Sequence, residues 1–251
     1  KDIEIRVGEK QKNLPIEIWV NKPNRVKLSI VSPSGEVIDN LEAKNTNNER
    51  IKFLYEGTEM IVNFTSPELS TGDSLIFIRA YNLKAGIWKF RLTGQSIVDG
   101  KYYAWIPQRE LLDSETKFLN SVGYTTLTLS STSSGAISVA YYNQDDNSVI
   151  SESGRGYTRY GMIKPDIAAG GFNAIVTNPG GGTAVISGSS VAGAVVAGCC
   201  ALILQWAVVD KNYPDIYAAQ IKSYIISGAK GRPGDVYPNK EWGYGMFDMQ
   251  G

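Results

Sequence analysis

The sequence predicts two architectures in series: an all-β sandwich over residues 1–107, then an α/β unit with a mostly parallel sheet over residues 108–251. Three observations predict it. Short segments that alternate apolar and polar residues fill the first hundred positions, separated by turn-forming clusters. Apolar runs of buried-strand length follow at 127–129 and 136–142. A long run of small and apolar residues beginning at Gly188 then reads as a helix.

In the first segment, residues 14–20 alternate Ile16, Ile18 and Val20. Residues 26–31 set Val26, Leu28 and Ile30 against Lys27 and Ser29, and residues 86–92 set Trp88, Phe90 and Leu92 against Lys89 and Arg91. Shorter runs at 51–55, 60–64, 75–81 and 101–106 add strands. Turns are signalled by Asn21-Lys22-Pro23-Asn24, Ser32-Pro33-Ser34-Gly35, residues 45–48, Ser70-Thr71-Gly72-Asp73 and Ala85-Gly86. Seven or more short strands with regular turns specify a sandwich, of jelly-roll type. No nucleophile, base or phosphate loop clusters here, so the expected role is structural; the alternative is a module that binds carbohydrate or a partner. Asn63-Phe64-Thr65 matches a glycosylation acceptor, but it lies inside a strand pattern and reads as a chance match.

Residues 107–120 read as the connection into the second segment. Residues 127–129 and 136–142 are its expected strands, and the polar, glycine-bearing stretch 143–161 is loop with one short strand. Residues 214–227 place Ile216, Ala219, Gln220, Ile221, Tyr224 and Ile225 at helical spacing and stop before Gly228. This predicts an amphipathic helix covering the sheet.

The centre of the second segment is Gly188-Ser189-Ser190-Val191-Ala192-Gly193-Ala194-Val195-Val196-Ala197-Gly198. The glycine-rich stretch 179–183 and apolar Ala184-Val185-Ile186 lead into it. Ser190 falls in the first helical turn, where backbone N–H groups lack intrahelical acceptors and can hold a developing oxyanion. The helix dipole adds to that field. Glycines 188, 193 and 198 and alanines 192, 194, 197 and 201 leave little side chain on the helix, so close approach by neighbouring backbone, and burial at the middle of a domain, are expected. Serine is also a favoured helix N-cap, and one Gly-x-Ser-x-Ala alone does not separate cap from nucleophile. Chain order narrows the chemistry. In α/β-hydrolases the acid and the His follow the Ser, yet this chain contains no His. The order in which both precede the Ser stays open.

Residues 188–198 resemble the serine motif of the subtilases, Gly-Thr-Ser-Met-Ala-x-Pro-His-Val-Ala-Gly, with Ser190 at the nucleophile position and Gly188, Ser189, Ala192 and Gly198 at supporting ones. Three flanking segments agree in order. Ala136-Ile137-Ser138-Val139-Ala140 resembles a strand of that family. Residues 151–156 with Lys164-Pro165-Asp166-Ile167-Ala168-Ala169-Gly170 resemble its Lys-Pro-Asp-Ile-x-Ala-Pro-Gly segment. Trp242-Gly243-Tyr244-Gly245-Met246-Phe247-Asp248 resembles its closing turn. The departures are Ser189 for Thr, Val191 for Met, Ala194 for Pro, Val195 for the motif's non-catalytic His, and Gly170 for Pro. None removes the Ser190 hydroxyl. The resemblance implies a subtilisin-type serine endopeptidase with Ser190 as nucleophile and Ser190 N–H as an oxyanion donor. The family's Asp, His and oxyanion Asn lie upstream of the matched region, so this chain alone is expected to be incomplete and inactive. A relative that has lost them, acting as a scaffold or binding protein, is the alternative. Residues 105–129 further resemble the clostridial spore-germination (Csp) proteases, in which a jelly roll is inserted inside the catalytic domain.

Composition agrees. With 251 residues and 43% hydrophobic content the chain can bury a sizeable core. Its 25 basic residues balance 25 acidic ones, which gives no electrostatic case for nucleic acid. The apolar stretch 191–209 approaches the length of a membrane span, but it is rich in Gly and Ala, carries Gln205 and matches a soluble family, so no membrane is expected. Adjacent Cys199 and Cys200 have poor geometry for bridging each other and read as core residues. Without His, no metal-ligand spacing occurs, and neither a metal nor another cofactor is expected. Asp145-Asp146 reads as a solvated loop. No apolar signal segment opens the chain. The expected partners are a protein or peptide substrate and the missing N-terminal catalytic segment or a prodomain; the resemblance suggests a bacterial, spore-associated or extracellular setting.

Overall fold

The computed structural model describes residues 1–42 and 48–250. The turn expected at 45–48 lies mostly outside the described residues. Two compact units divide the chain, Lys1–Ser121 and Val122–Gly251.

The first unit contains β1 (Asp2–Val7), β2 (Leu14–Val20), β3 (Arg25–Val31), β4 (Val37–Leu41), β5 (Asn48–Lys52), β6 (Glu59–Thr65), β7 (Ser74–Tyr81), β8 (Gly86–Ser96), β9 (Tyr102–Trp105) and β10 (Lys117–Phe118). They form two antiparallel five-stranded sheets, in the orders β10-β1-β8-β3-β4 and β5-β6-β7-β2-β9. Strand alternation decides what is buried. Ile3, Ile5 and Val7 of β1 and Trp88, Phe90 and Leu92 of β8 face inward from one sheet. Ile16, Ile18 and Val20 of β2 and Ile76 and Ile78 of β7 face inward from the other, and all belong to one core. Phe53 and Trp88 meet across it edge to face, with ring centroids 4.9 Å apart. Each fully buried side chain of this size contributes about 1.5–3 kcal/mol.

Several expected strands shift. The run at 51–55 is a strand only to Lys52, because the Phe53 N–H donates to Thr58 O at 2.9 Å and turns the chain. Strands β1 and β4 were not expected. Lys117 and Phe118 pair with Arg6 and Ile5, so the first compact unit runs on to Ser121.

The second unit contains β11 (Val139–Asn143), β12 (Ser148–Val149), β13 (Ile167–Gly170), β14 (Ala174–Thr177), β15 (Thr183–Ile186), α1 (Ser189–Leu204) and α2 (Ala218–Ser227). β11 and β13 pair in parallel, β12 pairs antiparallel with β11, and β14 and β15 form an antiparallel hairpin. Among the described residues the expected mostly parallel sheet therefore amounts to one parallel pair. The strand expected at 127–129 does not form: Leu129 is 90% exposed and leads into a 3-10 turn at Ser130–Thr132. Helix α2 begins at Ala218 rather than 214, where the Gln220 side chain accepts the Tyr217 N–H at 3.1 Å and fixes the start.

On one face of the sheet Tyr141, Ile167 and Ala169 pack with Ala192 and Val196 of α1 and Ile221 and Ile225 of α2. On the other, Ala140 and Ala168 pack with Trp242. The closing turn docks on β13 through Phe247 N–H to Ala168 O at 2.7 Å and Ala168 N–H to Gly245 O at 2.9 Å.

The expectation that α1 is a buried helix is corrected. Val191, Ala192 and Val196 are buried, but Val195, Leu202 and Leu204 are 44%, 50% and 42% exposed, and Trp206 beyond them is 52% exposed. Added Cβ atoms at Gly193 and Gly198 would meet nothing within 4 Å, so the close backbone approach expected at those glycines does not occur among the described residues. The helix is apolar all round while the unit covers only one of its faces.

Candidate functional site

The chain reaches Ser190 through two tight passages. After β13, Gly171 N–H donates to Tyr142 O at 3.2 Å. Asn173 then adopts φ +47° before the β14–β15 hairpin, a left-handed conformation that Asn tolerates better than most residues. At the hairpin tip Asn178 N–H donates to Gly182 O at 3.1 Å, and Gly180, Gly181 and Gly182 all have positive φ. That tip stands one strand, about 13 Å, from the helix start, so the glycine run 180–182 does not line the Ser190 turn.

Ser187, at the base of the hairpin, does belong to it. Its Oγ accepts the Asn173 N–H at 2.8 Å and donates to Asn173 Oδ1 at 3.3 Å. Gly188 follows with φ +150°, a conformation L side chains rarely adopt. Its N–H donates to Gly171 O at 2.8 Å, and its carbonyl accepts the Val191 and Ala192 N–H groups at 3.1 and 3.4 Å. Helix α1 starts on that carbonyl.

Ser189 and Ser190 are the first two residues of the helix, and both are exposed. Ala192, wholly buried one turn below, seats the helix on the sheet. The structure thus brings Gly188, Ser189, Ser190 and Ala192 together. Gly198 lies about 15 Å further along the axis than Gly188 and has no part in the turn.

This arrangement presents a hydroxyl at a positive helix end. A neutral serine attacks a carbonyl only with a base to take its proton, and the chain has no histidine. Among the described residues no group of three or more potential metal ligands occurs. Cys199 and Cys200 lie further down the helix as free thiols whose pKa burial pushes up, which disfavours thiolate chemistry there. Gly171 and Asn173 were not singled out from sequence. The Gly170-Gly171 doublet, with Asn173 two residues on and just before an apolar run, was the available turn signal.

A family model described as the subtilase family matches residues 116–245. Among solved structures, the CspB protease of Clostridium perfringens superposes with a TM-score of 0.90 at 29% identity, over 100% of this chain and 53% of that one. The chain therefore spans about half the length of that protease. The prenylagaramide maturation protease PagA and the patellamide maturation protease PatA each align at 23% identity and TM-score 0.43, over 51% of this chain and 45% of theirs. No curated protein matches.

Proposed function

The chain belongs to the subtilase family, and on that premise we propose that it is the serine-bearing part of a subtilisin-type endopeptidase, with Ser190 as the nucleophile. The observation that carries this reading is the Gly188-Ser189-Ser190 turn at the start of α1, inside the family's matched segment. Ser190 Oγ attacks the scissile carbonyl while a histidine takes its proton, an aspartate orients that histidine, and an acyl-enzyme forms. The Ser190 N–H is one oxyanion donor and an asparagine side chain the other. Loss of one such donor costs about 3 kcal/mol, a magnitude known from the family's prototype and not obtained from this chain. In this reading histidine, aspartate and asparagine are supplied by a segment absent from this chain.

The uncovered apolar face of α1 supports the same reading. Val195, Leu202 and Trp206, with the open positions Gly193 and Gly198, are surface that a further layer of the catalytic domain would bury. That layer would also extend the β11–β13 parallel pair into a larger parallel sheet. In this reading residues 1–107 are a jelly-roll insertion and 108–251 the C-terminal half of the catalytic domain. Support for the jelly roll comes from the nested pairing of β1 with β8 in one sheet and β2 with β7 in the other. The role follows the Csp resemblance: cleavage of a protein substrate in spore germination.

The test is reaction with a fluorophosphonate, followed by peptide mass spectrometry. The full-length polypeptide should carry the adduct on Ser190, and the present chain alone should carry none. A full-length polypeptide with no adduct would make the protein an inactive relative that works by binding.

A further inference from the structure

We propose that Ser187 and Gly171 are positioning residues that hold the approach to Ser190 in its reactive pose, an inference that rests on the reading of Ser190 as nucleophile. Two consecutive residues before the nucleophile turn are tied to the turn that leaves β13. Ser187 Oγ takes the Asn173 N–H at 2.8 Å and returns a hydrogen bond to Asn173 Oδ1 at 3.3 Å. Gly188 N–H donates to the Gly171 carbonyl at 2.8 Å. Residues 171–173 therefore form a cradle under residues 187–188, and the helix that carries Ser190 opens on the very next carbonyl.

Gly171 fits that cradle because it has no side chain. A Cβ there would stand 2.8 Å from Gly188 O, 3.1 Å from Tyr141 Cβ and 3.2 Å from Ala192 Cβ. The first of these is the carbonyl that accepts the Val191 and Ala192 N–H groups. A side chain at 171 pushes on the first turn of α1 and moves Ser190 with it. Ser187 works from the solvent side: it is exposed and lies outside the β14–β15 ladder, so its hydroxyl sets the pose of the turn and not the stability of the unit.

The test compares wild type, Ser187→Ala, Ser187→Thr and Gly171→Ala in the full-length polypeptide. The readouts are kcat and KM on a peptide substrate, the phosphonylation rate of Ser190, and Tm. Misplacing a reacting group by about 1 Å costs about a hundredfold in rate. Ser187→Ala, which loosens the cradle, should lower kcat and phosphonylation about tenfold with KM and Tm unchanged, and Ser187→Thr, which keeps the hydroxyl, should restore both. Gly171→Ala should lower kcat about a hundredfold. An unchanged kcat in Ser187→Ala overturns the proposal. So does a raised KM at constant kcat, which would make Ser187 a substrate contact. A wild-type protein that never labels at Ser190 removes the nucleophile reading itself, and this inference falls with it; that failure shows in the wild type and not in the variants.

Discussion

Lys164 Nζ lies 2.7 Å from Asp166 Oδ2, with the two side chains only 1% and 4% exposed. The same carboxylate accepts the Ser138 N–H at 2.7 Å and, through Oδ1, pairs with Lys222 Nζ at 2.7 Å. Lys164 also donates to Ala136 O at 2.8 Å. One buried carboxylate thereby ties the chain entering β11, the chain entering β13 and helix α2 to a single point. Strand β13 ends at the turn on which Ser190 is seated, so this network sets the base of the site.

Replacing Lys164 with methionine keeps the volume and removes the charge. Breaking a buried pair from one side costs about 3 kcal/mol or more, and Lys222 remains to hold Asp166, so K164M should lose about 3 kcal/mol in urea unfolding. Its pH dependence should differ as well. Burial, only partly offset by Asp166, lowers the Lys164 pKa from 10.5. Just below pH 10.5 the unfolded chain then binds more protons than the folded one, so this lysine makes wild-type stability rise with pH across that window. K164M should lack that rise; equal slopes for the two proteins would contradict it.

Ser190→Ala separates chemistry from folding. Ser190 is exposed and sits on a helix start that Gly188 already defines through its carbonyl. The substitution should change unfolding free energy by about 0.5 kcal/mol or less, while abolishing fluorophosphonate labelling and turnover of the full-length polypeptide. A large loss of stability would make Ser190 a structural cap.

The sandwich was legible because its burial follows a period of two. Ile16, Ile18 and Val20, or Trp88, Phe90 and Leu92, are apolar every second residue and face one core. The Ser190 turn was legible from the chemistry of its residues, since Gly188 adopts the positive φ that a Gly before Ser-Ser allows. The exposure of α1 was not legible. A helix apolar on all sides encodes burial on all sides, and the sequence carries no signal for which surfaces lie within the same chain. Leu127 and Leu129 failed as a strand for a related reason: alternation with threonine matches a strand, but a strand also needs a ladder partner, and none reaches them among the described residues. The Ser187–Asn173 pairing joins residues across a hairpin and needed the register of β14 and β15 to be seen.

Asn24 closes one end of the sandwich. It is wholly buried, and its Oδ1 accepts the N–H groups of Val98, Asp99 and Gly100 at 2.8–3.2 Å, while Nδ2 donates to Asn21 O at 2.8 Å. Asn24→Ala strips three amides of their acceptor. Those amides lie in an exposed loop that water reaches, so the cost should be about 2 kcal/mol and not three full desolvation penalties. Hydrogen exchange should show the loss first at Val98, Asp99 and Gly100. Unchanged protection at these amides would mean that the loop is held by other contacts.

The open face of α1 predicts how the chain behaves alone. Val195, Leu202 and Trp206 are 44%, 50% and 52% exposed on a helix with no charged residue, and contiguous apolar surface of this kind drives association. The chain by itself should self-associate with rising concentration in sedimentation experiments, and Val195→Gln with Leu202→Gln should suppress that without lowering Tm. Ala192→Leu is the contrasting change. Ala192 is fully buried against Tyr141 and Ile167, so the larger side chain should destabilise by about 1–3 kcal/mol and leave association unchanged. If the double glutamine variant unfolds instead, those positions carry stability within the unit, and the uncovered face is not a surface awaiting another layer of the catalytic domain.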